Sequence, residues 1–177
     1  MKKILAFAGS NSKKSINKEL ASFAANQIRG AEAFVLDLND YELPMYSVDH
    51  ENEEGIPSTA ERFLEKIKSA DGIVLSLAEH NGAYAAVFKN LLDWMSRIEG
   101  KVWSDKPMLL MATSPGGRGG ASVLEIAGEK FPRMGARITD IFSVPSFYDN
   151  FTEGGIVDES LRESFNSVIE NFAESIQ

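Results

Sequence analysis

The sequence predicts an α/β fold, with a parallel β-sheet between two layers of helices. Short apolar runs alternate with helical patterns five times along the chain, and the first run, residues 4–8, is continuously apolar. A continuous run of this kind is typical of a parallel strand that is buried on both faces. Repeated strand–helix alternation implies such a sheet, because each crossover lays a helix on one of its faces.

Composition narrows the possible functions. The chain has 177 residues, 44% of them apolar, which suits one domain over residues 1–177 with a sizeable core. It contains no cysteine, so disulfides, thiolate catalysis and cysteine-ligated metals are excluded. The net charge of -8 argues against non-specific nucleic-acid binding, which requires a basic surface.

The sequence also predicts the compartment. No apolar run approaches the ~20 residues of a membrane-spanning helix. Met1, Lys2 and Lys3 precede only a short apolar run, which fits a strand better than a signal peptide with its apolar region of ~7–15 residues. We therefore expect a cytoplasmic protein without a membrane partner.

The predicted elements follow one another in a regular order. The strands are expected at residues 4–8, 33–36, 73–77, 108–112 and 136–142. The helices are expected at residues 15–29, from Ser58 or Thr59 to the turn at Asp71, from about residue 83 to Ile98, and at residues 121–131 and 158–176. The fifth run is less apolar than the others, which indicates an edge strand.

Residues 37–57 form the longest predicted connection, and they include Pro44, Gly55 and Pro57. Irregular connections of this length are uncommon in compact domains and are usually functional or mobile. His50 lies among four acidic residues here: Asp49, Glu51, Glu53 and Glu54. We interpret the segment as a solvated acidic loop, and a lid or a subunit contact is the alternative.

The loop between the first strand and the first helix carries the strongest chemical signal. It contains three serines, Ser10, Ser12 and Ser15. Two lysines, Lys13 and Lys14, lie between the second and the third serine. A helix N-terminus presents unpaired amides and the positive end of the helix dipole, which attract anions. Hydroxyls, amides and lysines together suit a phosphate monoester, and a helix cap with spare serines is the alternative. The loop is neither a dinucleotide fingerprint nor a Walker A loop.

Two further loops complete the predicted site. The loop after the third strand contains Glu79, His80, Asn81 and Gly82, and its alternative interpretation is an ordinary turn with Asn81 as a helix cap. The loop after the fourth strand is glycine-rich, from Ser114 to Gly120. In a flavodoxin-like strand order, 2-1-3-4-5, the strands before these three loops are adjacent, so the loops converge beyond their carboxyl ends.

These motifs resemble those of the NAD(P)H-dependent FMN reductase family, which includes bacterial quinone, azo-dye and chromate reductases. The family's first loop reads G-S-x-R-x-x-S-x-N, and this chain has that spacing from Gly9 to Asn17. The family's second motif, P-E-Y-N-G and then K-N-x-x-D-W, is matched by residues 78–82 and by residues 89–94. The chain departs from the pattern at Ser12, Ala78 and His80, where the family has Arg, Pro and Tyr.

The resemblance implies a flavodoxin-like three-layer sandwich that binds FMN and uses NAD(P)H as co-substrate. The residues implied to hold the FMN phosphate are Ser10, Ser15, Ile16 and Asn17, with Ser12 beside them. Those implied to border the flavin ring are Glu79, His80, Asn81 and Gly82 on one side, and Ser114, Gly116 and Gly117 on the other. No catalytic side chain and no metal are required, because the cofactor supplies the redox chemistry.

The expected activity is electron transfer from NAD(P)H through FMN to a small-molecule acceptor: a quinone, an azo compound, a metal ion or a free flavin. A flavodoxin-type electron carrier is the first alternative, and an interaction domain that has lost its cofactor is the second. The resemblance also implies a homodimer or homotetramer with the third helix near the interface. Exposure of Trp94, Met95 or Trp103 would fit such an interface, and a core position is the alternative.

Overall fold

A five-stranded parallel sheet lies at the centre of the molecule, and the computed structural model describes all 177 residues. The strands are β1 (Lys2–Gly9), β2 (Ala31–Leu36), β3 (Gly72–Leu77), β4 (Glu79–His80), β5 (Ala83–Tyr84), β6 (Pro107–Thr113), β7 (Arg137–Val144), β8 (Phe151–Thr152) and β9 (Gly155–Ile156). The helices are α1 (Ile16–Asn26), α2 (Val48–Glu54), α3 (Ser58–Ser69), α4 (Ala86–Ile98), α5 (Ala121–Lys130), α6 (Phe147–Asn150) and α7 (Glu159–Ser175).

The main sheet has the order β2-β1-β3-β6-β7, and all its neighbouring strands are parallel. The predicted flavodoxin-like order is therefore confirmed. Two short antiparallel hairpins, β4-β5 and β8-β9, stand apart from the sheet. The last sheet strand, β7, pairs only with β6, so the prediction of an edge strand is confirmed.

Alternating residues of each central strand contribute side chains to two separate hydrophobic cores, one on each face of the sheet. In β1, Leu5 and Phe7 pack with side chains of α3, α4 and α5, whereas Ile4 and Ala6 pack with side chains of α1 and α7. Neighbouring strand residues point to opposite faces of a sheet, so a continuous apolar run is what a strand between two helical layers requires. The result is the predicted three-layer sandwich.

Some predicted boundaries were wrong. α1 ends at Asn26 rather than at residue 29, and β7 runs on to Val144 beyond the predicted end at residue 142. Pairing explains the longer strand, because Val144 still lies opposite Thr113 of β6. The predicted helix 121–131 ends at Lys130, and a 3₁₀ turn, Phe131–Met134, continues it.

Residues 37–57 are more ordered than the predicted irregular connection. They contain a 3₁₀ turn, Leu38–Asp40, and helix α2, whose N-terminus is capped by the Ser47 side chain. α2 has no buried residue, so it lacks the apolar periodicity by which a helix is recognised in a sequence. Its order comes from contacts with α4, which are described below.

Trp94, Met95 and Trp103 are all fully buried in the core of the molecule. The suggestion that they are exposed at an interface is therefore wrong, and the alternative core position is confirmed. None of the helices combines the length and apolar character that crossing a membrane would require.

Candidate functional site

The register of the sheet brings the predicted loops to one edge. Gly9 lies opposite Leu77, Leu77 lies opposite Ala112, and Thr113 lies opposite Val144. The strands β1, β3, β6 and β7 therefore end almost level with one another. The loops that follow them border a single open cleft beyond their carboxyl ends, where ligands bind in open α/β sheets.

Two serine hydroxyls in the first loop accept hydrogen bonds from the backbone, and their own O–H groups stay free to donate. The Ser12 N–H donates to Ser10 Oγ at 3.1 Å, and the Lys18 N–H donates to Ser15 Oγ at 3.2 Å. Ser10 and Ser15 are both buried. Since a hydroxyl that accepts can still donate, both O–H groups remain available for an anion. The capping interpretation of Ser15 is thus confirmed, and it is compatible with anion binding.

The first turn of α1 adds backbone donors to these hydroxyls. Ser15 is the N-cap residue, and its side chain satisfies the Lys18 N–H. The N–H groups of Ile16 and Asn17 donate to no group of the chain. They belong to the orphan amides of a helix N-terminus, where the helix dipole also favours negative charge. Lys14 lines the same cleft and adds a cation.

The side chain of Asn17 serves the fold. Its Oδ1 accepts from Thr113 N at 3.0 Å and from Ser76 Oγ at 2.7 Å, and its Nδ2 donates to Thr113 O at 3.1 Å. These bonds tie the start of α1 to β3 and β6. Only 3% of Asn17 is exposed, so the backbone N–H is its donor toward the cleft.

The charge of Lys18 is directed away from the first loop. Its ammonium group is paired with the carboxylate of Asp37, at the end of β2. The Lys18 hydrogen bond, together with hydrogen bonds from the Asn39 backbone and side chain, holds the pKa of Asp37 below its usual value. Lys18 is therefore neutralised locally, and the cation at the cleft is Lys14.

The second loop is a tight β-hairpin. Glu79 pairs with Tyr84 and His80 pairs with Ala83, which leaves Asn81 and Gly82 as the turn. Both turn residues have positive φ, 53° for Asn81 and 76° for Gly82. Asn-Gly is the preferred sequence for this type of two-residue turn. The alternative interpretation of Asn81 as a helix cap is wrong, because α4 begins only at Ala86.

Glu79 joins the hairpin to the third loop. Its Oε2 accepts a hydrogen bond from Val123 N at 2.9 Å, in the first turn of α5. The N-cap residue of α5 is Gly120, which has no side chain to offer. The Glu79 carboxylate therefore supplies the missing cap and fixes the hairpin relative to the glycine-rich loop.

The third loop is hydrogen-bonded to the segment that follows β7. Gly116 O accepts from Ser114 Oγ at 3.1 Å and from Ser146 N at 2.9 Å, and Phe147 N donates to Ser114 O at 3.0 Å. At Gly120, where φ is 76°, an added Cβ would lie 2.7 Å from the Cβ of Ala112. The glycine there allows the chain to turn into α5 close to β6.

Most of the predicted residues line this one cleft. They are Ser10, Ser12, Ser15, Ile16, Asn17, Glu79, His80 and Ser114. The other four do not line it: Asn81 and Gly82 form the exposed tip of the hairpin, and Gly116 and Gly117 lie exposed in the third loop. His80 is exposed at the cleft and makes no side-chain hydrogen bond within the chain.

The cleft also includes Lys14, which was predicted as a source of positive charge beside the serines. Four further lining residues were not predicted: Ala78, Thr113, Pro115 and Tyr148. Tyr148 is 71% exposed on α6, and it lies beyond the end of the edge strand. The sequence did contain a signal for Tyr148: its loop follows β7, and β7 ends level with β6, so the loop lies at the same edge of the sheet.

Comparison with known proteins agrees with this geometry. The family model described as NADPH-dependent FMN reductase matches residues 2–147. The chain is 32% identical to a 2-hydroxy-1,4-benzoquinone reductase of Burkholderia sp over 97% of this chain and 94% of that protein. It is 39% identical to the quinone reductase of Escherichia coli (strain K12), but over only 45% of this chain and 43% of that protein.

The fold has a solved counterpart. The flavoenzyme FerB, an NAD(P)H:(acceptor) oxidoreductase from Paracoccus denitrificans, superimposes with a TM-score of 0.79 over 99% of this chain and 97% of its own, at 24% identity. Together, the family match and the strand-end cleft show that this chain belongs to the NADPH-dependent FMN reductase family.

Proposed function

We propose that this protein is an FMN-dependent NAD(P)H oxidoreductase that reduces a small-molecule acceptor such as a quinone. The observation that carries the proposal is the convergence of three loops on one cleft. A hydroxyl and amide cluster lies at one part of that cleft, and the hairpin and the glycine-rich loop border another. Membership of the FMN reductase family supports the choice of cofactor.

The first loop fits the phosphate of FMN. The O–H groups of Ser10 and Ser15 and the N–H groups of Ile16 and Asn17 are free to donate. Ser15, Ile16 and Asn17 lie at the start of α1, where the dipole favours an anion. Ser10 lines the same cleft from the end of β1. Lys14 adds positive charge at the same cleft, and we propose that it compensates for Ser12, where the family pattern has an arginine.

The second and third loops fit a planar ring. Gly82 and Gly116 have no atom within 4 Å of the position that a Cβ would take. Neither glycine lines the cleft itself, so they leave the adjoining backbone uncrowded while Glu79, His80 and Ser114 of the same loops line the cleft. The proposed border residues are Glu79, His80, Asn81 and Gly82 on one side, and Ser114, Gly116 and Gly117 on the other.

Bound FMN would supply the redox chemistry, because flavins accept a hydride from reduced nicotinamides and pass electrons to acceptors. The chain's own residues hold the cofactor, orient it and leave one side of the cleft open. His80 lies at that opening, where we propose that it shapes access for the acceptor. Relatives named quinone reductase support a quinone as the acceptor to test first.

Purification and one steady-state assay test this proposal. The protein loaded with FMN should be yellow and should oxidise NADH or NADPH when a benzoquinone is present. Its double-reciprocal plots should be parallel, because one flavin serves donor and acceptor in turn. Bound FMN without nicotinamide oxidation would favour the electron-carrier alternative, and failure to bind FMN would overturn the proposal.

The assembly state stays a prediction. The resemblance to the family implies a homodimer or homotetramer, and light scattering of the FMN-loaded protein distinguishes these from a monomer.

A further inference from the structure

We propose that Asn90 and Trp94 are positioning residues that hold the segment 41–55 in place as a wall beside the FMN cleft, and so control which acceptors enter. Both residues belong to the K-N-x-x-D-W pattern of α4, and neither lines the cleft itself. The inference rests on the proposed function, since it concerns the acceptor of that reaction.

The carbonyl oxygen of Pro44 accepts two hydrogen bonds from side chains of α4. Asn90 Nδ2 donates to Pro44 O at 3.0 Å, and Trp94 Nε1 donates to the same oxygen at 2.7 Å. Asn90 Oδ1 also accepts from Tyr46 N at 2.8 Å. Asn90 is 8% exposed and Trp94 is fully buried. Because a carbonyl oxygen has two lone pairs, this geometry satisfies Pro44 O fully.

Side chains reinforce the same attachment further along the segment. The Tyr46 ring meets the Trp94 ring edge-on, with centroids 5.0 Å apart, and the His50 ring does so at 5.6 Å. Tyr46 donates its hydroxyl hydrogen to Glu51 at 3.0 Å, and Arg97 Nε donates to both Glu51 oxygens at 2.9 and 3.1 Å. The segment therefore follows α4 through specific polar contacts.

The position of this segment relates it to the FMN cleft. A second recess lies between Asn11, Val87 and the segment from Leu38 to Pro44. Asn11 stands between Ser10 and Ser12, which line the FMN cleft, and Val87 lies in the first turn of α4, shortly after the hairpin ends at Tyr84. Any shift of Pro44 therefore changes a recess that adjoins both the first loop and the first turn of α4.

The chain offers a matched pair of variants for the test. Trp94→Phe removes the indole N–H that binds Pro44 O, whereas Trp103→Phe removes a buried indole N–H that has no partner. Both tryptophans are fully buried, so both substitutions delete similar core volume. A difference between the two variants therefore reports the contacts of Trp94 with the segment, which are its hydrogen bond to Pro44 O and its ring contacts with Tyr46 and His50, rather than a general loss of core volume.

Two measurements on the full-length protein are compared. In Trp94→Phe, amide hydrogen exchange over residues 41–55 should accelerate by about threefold to tenfold, as the loss of one net hydrogen bond shifts a local opening. The KM ratio between a bulky and a small quinone should change by at least about threefold in Trp94→Phe, for the same reason. FMN affinity should stay within about twofold of the wild type, because the phosphate donors are untouched. Trp103→Phe should leave the exchange and the KM ratio unchanged.

Equal exchange and equal KM ratios in the two variants would overturn the inference while leaving the proposed function intact. A wild-type protein that neither binds FMN nor oxidises NAD(P)H would overturn both. If Trp94→Phe does not fold, Asn90→Ala replaces it, since Asn90 makes two hydrogen bonds to the same segment. Faster exchange over residues 41–55 and a changed KM ratio in Asn90→Ala would support the inference, and wild-type values would overturn it.

Discussion

The side-chain amide of Asn17 pairs with the backbone of Thr113 through two hydrogen bonds, one in each direction. Asn17 Nδ2 donates to Thr113 O at 3.1 Å, and Thr113 N donates to Asn17 Oδ1 at 3.0 Å. The two residues lie 96 positions apart in the chain. Their pairing fixes the first turn of α1 against the end of β6. The proposed phosphate donors are therefore held in a fixed position relative to the third loop, which follows β6.

Replacing Asn17 by alanine should therefore weaken both the fold and the site. The substitution leaves the backbone N–H and C=O of Thr113 buried and unpaired, at a cost of about 1–3 kcal/mol for each group. Urea denaturation should show that loss in the free energy of unfolding, and FMN affinity should fall as the first turn of α1 loosens. Asn26→Ala is the control, because that exposed amide bonds only within its own helix. A stability change no larger than the control's would contradict the structural role of Asn17.

Glu79 should act on stability through α5. Glu79→Ala removes the acceptor for Val123 N, and loss of a helix cap costs about 1 kcal/mol. Glu79→Gln keeps an acceptor oxygen, so it should lose only the interaction of the negative charge with the dipole of α5, about 0.3–1 kcal/mol. Glu125→Ala on the exposed side of α5 is the control. Thermal or urea unfolding measures all three, and an unchanged stability of Glu79→Ala would show that the cap is dispensable.

His80 should tune acceptor choice without serving as an essential proton donor. It lines the cleft where the family pattern has a tyrosine, and acceptors such as quinones can be protonated by solvent. His80→Tyr should retain FMN and keep nicotinamide oxidation within about tenfold, or ~1.4 kcal/mol of barrier. The order of preference among small and bulky quinones should change.

The opposite interpretation of His80 has a distinct signature. An essential general acid contributes about 10²–10⁴-fold to the rate. If His80→Tyr and His80→Phe both bind FMN but lose more than about a hundredfold in kcat, and kcat no longer depends on pH as it does in the wild type, the proton-donor role is correct.

The Lys18–Asp37 pair should make stability depend on pH in the acid range. Asp37 has a lowered pKa in the folded protein, so the unfolded chain takes up its proton first as the pH falls. The contribution of the pair is present above the unfolded value of about 3.9 and disappears as the pH falls through the folded value. Asp37→Asn should thus be less stable than the wild type at pH 7, and the difference should shrink steadily as the pH falls below about 3.9. A difference independent of pH would contradict this assignment.

The sequence predicted the sheet and the meeting of the loops because both follow from local pattern. Continuous apolar runs identify β1, β3 and β6 as buried parallel strands, and level strand ends bring Ser10, Glu79 and Ser114 to one edge. The residue types in the first loop were enough to indicate an anion, since serines and lysines at a helix N-terminus act through local chemistry.

What could not be predicted depends on distant partners. Nothing near Asn17 indicates that its side chain is committed to Thr113, and nothing near Glu79 indicates that it caps α5. α2 escaped recognition because it buries no residue, and its attachment through Glu51 and Arg97 is a tertiary contact. The hairpin at Asn81–Gly82 did have a local signal, the Asn-Gly pair, but its strands are only two residues long.

The most direct test of the proposed FMN site is a titration of the apoprotein with FMN and with riboflavin, followed by flavin fluorescence. The two ligands differ only in the phosphate, which we assign to the Ser10–Asn17 loop. Losing two or more hydrogen bonds to a charged group, each worth about 1.5–3 kcal/mol, should weaken riboflavin binding by at least about a hundredfold. Equal affinities for FMN and riboflavin would contradict the assignment of the first loop as the phosphate site.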